Sequence, residues 1–281
     1  MSLLDDLDLG HPHEGPPGRE GRRHVSKIVL ALSLVLVAAL LAAYWVHRVN
    51  QTQSRVAPPQ APTTQATTPP REALGTGGPA EPLPPLAEFD AYVRDAVGRL
   101  SSAGAVATWL ASDHLAEQFT SVVQGVADGR APMRQLARLR PSAPFTVVER
   151  DGHTVIDPAS YRRYDGIAAA VTSLDPIACA RAYGTLKPRL EDAYAQLGIA
   201  GSSLDAAVEK AIVALLRTQV PSGAIRVVSR GGVYAYADAR LESLTPAQKL
   251  LIRTGPENAR RIQARLREIA VALGIPPERL P

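Results

Sequence analysis

One cysteine, two methionines, two tryptophans and three phenylalanines in 281 residues leave little of the chemistry that usually announces a site. A single thiol, Cys179, permits no intrachain disulfide and no paired-thiolate metal site. Its place between Ala178 and Ala180 suits a small buried apolar residue. It also lies far from any apolar run, which excludes a lipoprotein. Of the six histidines, only His114 and His153 fall beyond residue 85. The chain has no H-E-x-x-H pair, no G-x-S-x-G elbow and no alternating Asp/Asn calcium loop. Nothing therefore points to a metal or an organic cofactor. A strong charge excess is missing too. With 31 basic against 27 acidic side chains the net charge is +4, too mild for a nucleic-acid footprint.

What is present first is a long hydrophobic run. Ile28 to Val46 carries no charge and no proline over nineteen positions. As a helix it would span about 28 Å, close to the roughly 30 Å apolar core of a bilayer. Arg19, Arg22, Arg23 and Lys27 precede it, whereas Arg48 and Arg55 follow, so the amino terminus is expected in the cytoplasm. Tyr44 and Trp45 mark the outer boundary. A cleaved signal peptide has a shorter core, and its best cleavage site here would cut inside the run. These features predict a single-pass protein of the bacterial cytoplasmic (inner) membrane with its carboxy-terminal domain outside, in the periplasm. Ala38 and Ala42, with Ala39 and Ala43, offer a small-residue face on which a second copy could form a homodimer.

The remaining organisation follows from composition. Residues 1–26 read as a disordered cytoplasmic tail, 27–47 as the transmembrane helix and 48–85 as a Pro/Thr/Ala-rich linker that includes GTGGPA from Gly75. Residues 86–281 read as the extracytoplasmic domain. From Leu86 apolar residues recur at helical spacing, as in Phe89, Val93, Val97 and Leu100, and again in Leu115, Phe119, Val122 and Val126. Asp157-Pro158, Asp175-Pro176 and Thr245-Pro246 each pair an N-cap acceptor with proline at the first helical position, and Thr245 with Gln248 fits a capping box. Pro188 is expected to kink or split the helix around it. FTVVER and HTVID flank Asp151-Gly152, while IRVVSR and VYAYA flank Gly231-Gly232, which predicts two hairpins that could share a small antiparallel sheet. The fold class is mainly α, with a minor β part (α+β).

Two segments, DPASYRRYD from Asp157 and LTPAQKLLIRTGPENARRIQARLREIA from Leu244, resemble the bacterial membrane-anchored family catalogued as domain of unknown function 3014. PLAEFDAYVRDAVGRLS and ATWLASDHL look like its amino-terminal half. The resemblance implies a membrane-tethered architecture and brings no activity, cofactor or site residue with it.

Candidate binding residues therefore come from the chain itself. In a helix starting at Pro158, Tyr161, Tyr164 and Asp165 would share one face beside Asp157 and Ser160, enough to line a polar cleft. Glu257 and Asn258 sit at the start of the helix after Gly255-Pro256, near its positive end, and Arg261 belongs to an arginine-rich stretch with Arg260, Arg265 and Arg267. No catalytic residue stands out. These features favour a non-enzymatic, membrane-tethered envelope binding or scaffolding protein with an envelope protein or the cell wall as partner. The rival is a carboxylate-dependent envelope hydrolase or carbohydrate-active enzyme using Asp157 or Asp165.

Overall fold

A computed structural model of the chain describes residues 73–281. The expected tail 1–26, the membrane helix 27–47 and most of the linker lie outside the described residues, and no helix among those described is long and apolar enough to cross a membrane.

Ten helices and two hairpins are described. In chain order they are α1 (Phe89–Gly98), α2 (Gly104–Leu110), α3 (Leu115–Ala127), β1 (Val147–Arg150), β2 (His153–Ile156), α4 (Pro158–Arg162), α5 (Asp165–Thr172), α6 (Pro176–Ala195), α7 (Leu204–Leu216), β3 (Val227–Arg230), β4 (Val233–Tyr236), α8 (Ala239–Glu242), α9 (Pro246–Arg253) and α10 (Pro256–Ala272). The principal core lies where α3 packs on α6 and α7 and where α10 packs on α5, α6 and α7. Phe89, Leu115 and Leu204 are fully buried there. Removing each such side chain from water stabilises the fold by roughly 2 to 3 kcal/mol. A second cluster, Ile156, Ile225, Val227, Tyr236 and Ile252, seats the hairpins on α9, and a third joins Ala168, Leu251, Ala259 and Ile262.

The starts marked by local chemistry form as expected. Asp157 accepts from the Ala159 amide at 2.8 Å, Asp175 from Ala178 at 2.7 Å, and Thr245 and Gln248 close a reciprocal capping box. Helix α3 is capped from outside its own segment. His114 takes a left-handed conformation (φ 56°), and Asp90 on α1 accepts both the His114 and Leu115 amides, at 2.7 and 2.8 Å.

Three expectations change. Pro188 does not split its helix, since α6 runs from Pro176 to Ala195. The missing amide removes one intrahelical bond, while Leu186, Leu190 and Ala193 remain buried on either side and keep both halves on the core. The expected helix from Pro158 breaks instead at Tyr164 (φ −102°, ψ 1°), with α5 beginning at Asp165. The hairpins form two separate two-stranded antiparallel sheets. They meet through a single bridge, Val155 with Arg226, and one bond from the Ile156 amide to the Ile225 carbonyl at 3.0 Å. Just beyond Ile156 the chain turns into α4 at Asp157-Pro158, and proline has no amide to extend a ladder.

The described end of the expected linker is not a spacer. Residues 73–85 form an arm whose Leu74, 6% exposed, and Leu83 join the principal core. The Gly75 amide donates to the Leu273 carbonyl at 2.9 Å and the Thr76 amide to Ala180 at 3.1 Å. Arg189 donates to the carbonyls of Pro84 and Leu83 at 2.7 and 3.0 Å. Gly184 on α6 makes room for this arm, because a Cβ there would sit 2.5 Å from the Thr76 carbonyl oxygen. Asp205 then fastens it by accepting from the Leu74 amide at 3.1 Å, from the Tyr183 hydroxyl at 2.7 Å and from the Lys187 ammonium at 2.5 Å. The composition of the stretch argued against burial; two leucines and helix-borne partners for its backbone supply what composition lacks.

Candidate functional site

The two candidate segments, far apart in sequence, are brought together. Asn258, buried at the start of α10, donates to the Asp165 carboxylate at 2.7 Å and to the Thr254 carbonyl at 3.1 Å. The Tyr161 ring lies against Gly255 so closely that a Cβ there would meet its Cγ at 2.5 Å. Gly255 also holds φ at 92°, where L side chains are strained, so both space and backbone demand glycine.

The remaining polar candidates are used internally. Ser160 is buried. It accepts from the Thr146 amide at 2.7 Å and donates to the Thr146 carbonyl at 2.9 Å, pinning the entry of the first hairpin to α4. One oxygen of Asp157 caps α4 and the other accepts from the Thr146 hydroxyl at 3.1 Å. Glu257 and Arg261 are exposed on α10, and among the described residues no hydrogen bond or ion pair joins either to the cluster.

Beside these residues lies an aromatic group that sequence reasoning found only in part. The chain has eight tyrosines and three phenylalanines, yet Phe145, Tyr161, Tyr164, Tyr234 and Tyr236 gather along the seam between the hairpins and α4. The Phe145 and Tyr234 rings pack at 5.6 Å between centroids. The Arg163 guanidinium lies over Phe145 at 5.7 Å and over Tyr164 at 5.4 Å, and it is held there by donating to the Ser160 and Ala143 carbonyls, each at 2.8 Å. Tyr161 and Tyr236 follow inside the seam. Their hydroxyls are buried, and that of Tyr161 has no hydrogen-bond partner among the described residues.

Electrostatics differ along this seam. Burial, with a smaller contribution from Tyr236, pushes the Tyr161 phenol up to about 12. Burial also raises Tyr236, against an opposing effect of Arg253. Both are neutral phenols at ordinary pH. Glu242, at the end of α8, is held below the usual carboxylate range by Lys249 at 2.7 Å and by the Tyr236 amide at 3.0 Å. This carboxylate ties the second hairpin to α9. The signals missed were the Y-A-Y alternation in β4, which places Tyr234 and Tyr236 on one side, and the doubled arginine in Ser160-Tyr161-Arg162-Arg163-Tyr164.

Chemically the arrangement holds and stacks. No serine here has a histidine base: His114 is exposed at the start of α3 and His153 at the tip of β2. Both oxygens of Asp157 and one of Asp165 accept bonds from the scaffold, whereas glycoside hydrolysis needs two carboxylates aimed at one bond. The Arg163 guanidinium is fixed over Phe145 and the half-buried Tyr164, and the exposed Phe145 ring packs on the exposed Tyr234.

A family model described as "Protein of unknown function (DUF3014)" matches residues 115–270, which takes in α3 through nearly all of α10 and the whole aromatic seam. No curated protein and no solved structure matches the chain. Because the matched span covers more than half of the chain, the protein belongs to the DUF3014 family.

Proposed function

We propose that this protein is a non-enzymatic, single-pass membrane-tethered binding or scaffolding module of the bacterial cell envelope, and that the aromatic seam is the surface on which it receives a protein partner. One observation carries the reading: Phe145 and Tyr234, 40% and 47% exposed, stand as a ring pair beside the braced Arg163. Aromatic rings and arginine dominate the energetics of protein contacts because they bury much area at little entropic cost. The uncharged run Ile28 to Val46 and its basic flank support the tether and the orientation.

The test is photo-cross-linking in intact membranes from a benzophenone side chain placed at position 234 of the full chain. The expected result is one discrete protein adduct, which disappears when Phe145→Ala and Arg163→Ala are combined with the probe while the domain's helical circular dichroism is kept. Adducts with lipid alone, or a protein adduct that survives the double substitution, would count against this surface. A reporter fused after Leu273 that works only outside the cytoplasm should be active; activity of a cytoplasm-only reporter would overturn the orientation.

A further inference from the structure

The principal core is not filled. Between α1, α2, α3, α6, α7 and α10 lies a partly open cavity of about 340 Å³ lined almost wholly by carbon. Protein interiors normally leave few voids larger than a water molecule, and an engineered apolar void of roughly 150 Å³ already takes up benzene. The space is also long. On α6 alone its wall runs from Cys179 through Ala182 and Leu186 to Leu190, a distance of about 16 Å at the helical rise. The space is therefore elongated along α6 rather than round. Scaled from the void of roughly 150 Å³ that takes up the six carbons of benzene, it holds about a dozen carbons.

One end of the wall carries polar groups. Leu100 and Leu174 line the cavity there, and their chain neighbours Ser101 and Ser173 share a hydrogen bond of 2.7 Å between hydroxyls, with Ser173 donating to the Ala170 carbonyl at 2.8 Å, so both hydroxyl protons are engaged within the protein. Asp175 and Arg265 both act electrostatically on the Cys179 thiol at this end. Deeper in, the Tyr183 hydroxyl is already given to Asp205, so it turns no free polar group into the space.

We propose that this chamber binds the aliphatic chain of a single-chain amphiphile of about ten to twelve carbons, with its polar head left outside in solvent, beyond the Ser101–Ser173 rim. The site is separate from the aromatic seam and stands independently of the partner surface placed there.

Trp109 lines the chamber, and the only other tryptophan of the chain is Trp45. The full chain carrying Trp45→Phe, reconstituted in lipid nanodiscs, therefore reports on the site through Trp109 fluorescence. Dodecanoic acid brominated at its far end should quench this emission and saturate at one ligand per chain, and brominated butanoic acid should bind at least tenfold more weakly. Ala211→Phe, which places a ring in the chamber, should weaken the twelve-carbon ligand at least tenfold while leaving the melting temperature unchanged or higher. Where Ala211→Phe does not fold, Cys179→Leu is held to the same criterion. Quenching that never saturates, equal affinity for four and twelve carbons, or a folded filled variant that binds within twofold of the parent would each overturn the proposal.

Discussion

The arm at residues 73–85 and the aromatic seam treat buried polar groups in opposite ways. At the arm, Asp205 satisfies an amide, a phenol and an ammonium at once, and the Lys187 and Asp205 side chains are only 15% and 16% exposed. At the seam, the Tyr161 hydroxyl is buried without a hydrogen-bond partner among the described residues, that of Tyr236 has the Arg253 guanidinium acting on it, and the neighbouring rings of Phe145 and Tyr234 face solvent. A closed network fixes one arrangement, since any member left alone inside the protein costs the full desolvation of its polar group. An open one keeps unspent contact capacity. The difference separates a region whose polar groups engage one another from one that leaves rings and a hydroxyl unengaged.

The strongest way to break this contrast is Asp205→Ala. It leaves the Tyr183 hydroxyl without its acceptor and Lys187 with only Glu191 at 4.0 Å and the Leu74 carbonyl at 3.4 Å, and should cost about 3 kcal/mol in urea unfolding, with the arm becoming cleavable by protease. A loss below about 1 kcal/mol would mean that the clamp is ornamental. Next is Gly255→Ala, which combines a positive φ with a contact 2.5 Å from the Tyr161 ring and should cost about 2 kcal/mol or more. The same measurement checks it, and the damage should be read locally as faster hydrogen exchange at the start of α10.

Removing hydroxyls sharpens the comparison further. Tyr183→Phe gives up a bond to a carboxylate and should destabilise by about 1.5 kcal/mol, whereas Tyr161→Phe discards a buried, unpartnered hydroxyl and should be neutral or stabilising by up to about 1 kcal/mol. Equal losses for the two substitutions would erase the distinction between the regions. The smallest effect is in acid. Glu242 has a folded pKa below its ordinary value of 4.5, so the stability it lends is present above that value and is lost as pH falls through the folded pKa. Exchange of the Tyr236 amide, which donates to Glu242, should therefore quicken below about pH 4.5 relative to the global opening rate. Glu242→Gln should flatten that dependence.

What could be read from the chain follows the range of the interactions involved. Asp157, Asp175 and Thr245 cap helices through amides two or three residues away, and Asp151-Gly152 and Gly231-Gly232 adopt the positive φ values that tight hairpins need. Such signals are local and came through intact. The break at Tyr164 did not, because one apolar stripe fits a single helix and two short ones equally well. The arm was misassigned for a related reason. Its composition says linker, and only partners more than a hundred positions away, such as Asp205 and Arg189, make it part of the core. Within the candidate site, Asp165 was legible as a polar residue on the face of a helix from Pro158 and Asn258 as one near a helix start, yet their pairing spans 93 positions and has no sequence signature. Phe145 and Glu242 carried no signal at all beyond residue type.

The clasp between Gly75 and Leu273 has a mechanical meaning. Through it and the Thr76–Ala180 bond, the chain arriving from residue 72 is fastened at once to the end of α10 and to the first half of α6. A pull delivered through the amino-terminal side is thus taken up near both ends of the folded sequence rather than by peeling α1 away. Tension arriving from that side would be met first by backbone hydrogen bonds and by the Asp205 carboxylate, leaving the hairpins and the aromatic seam relaxed.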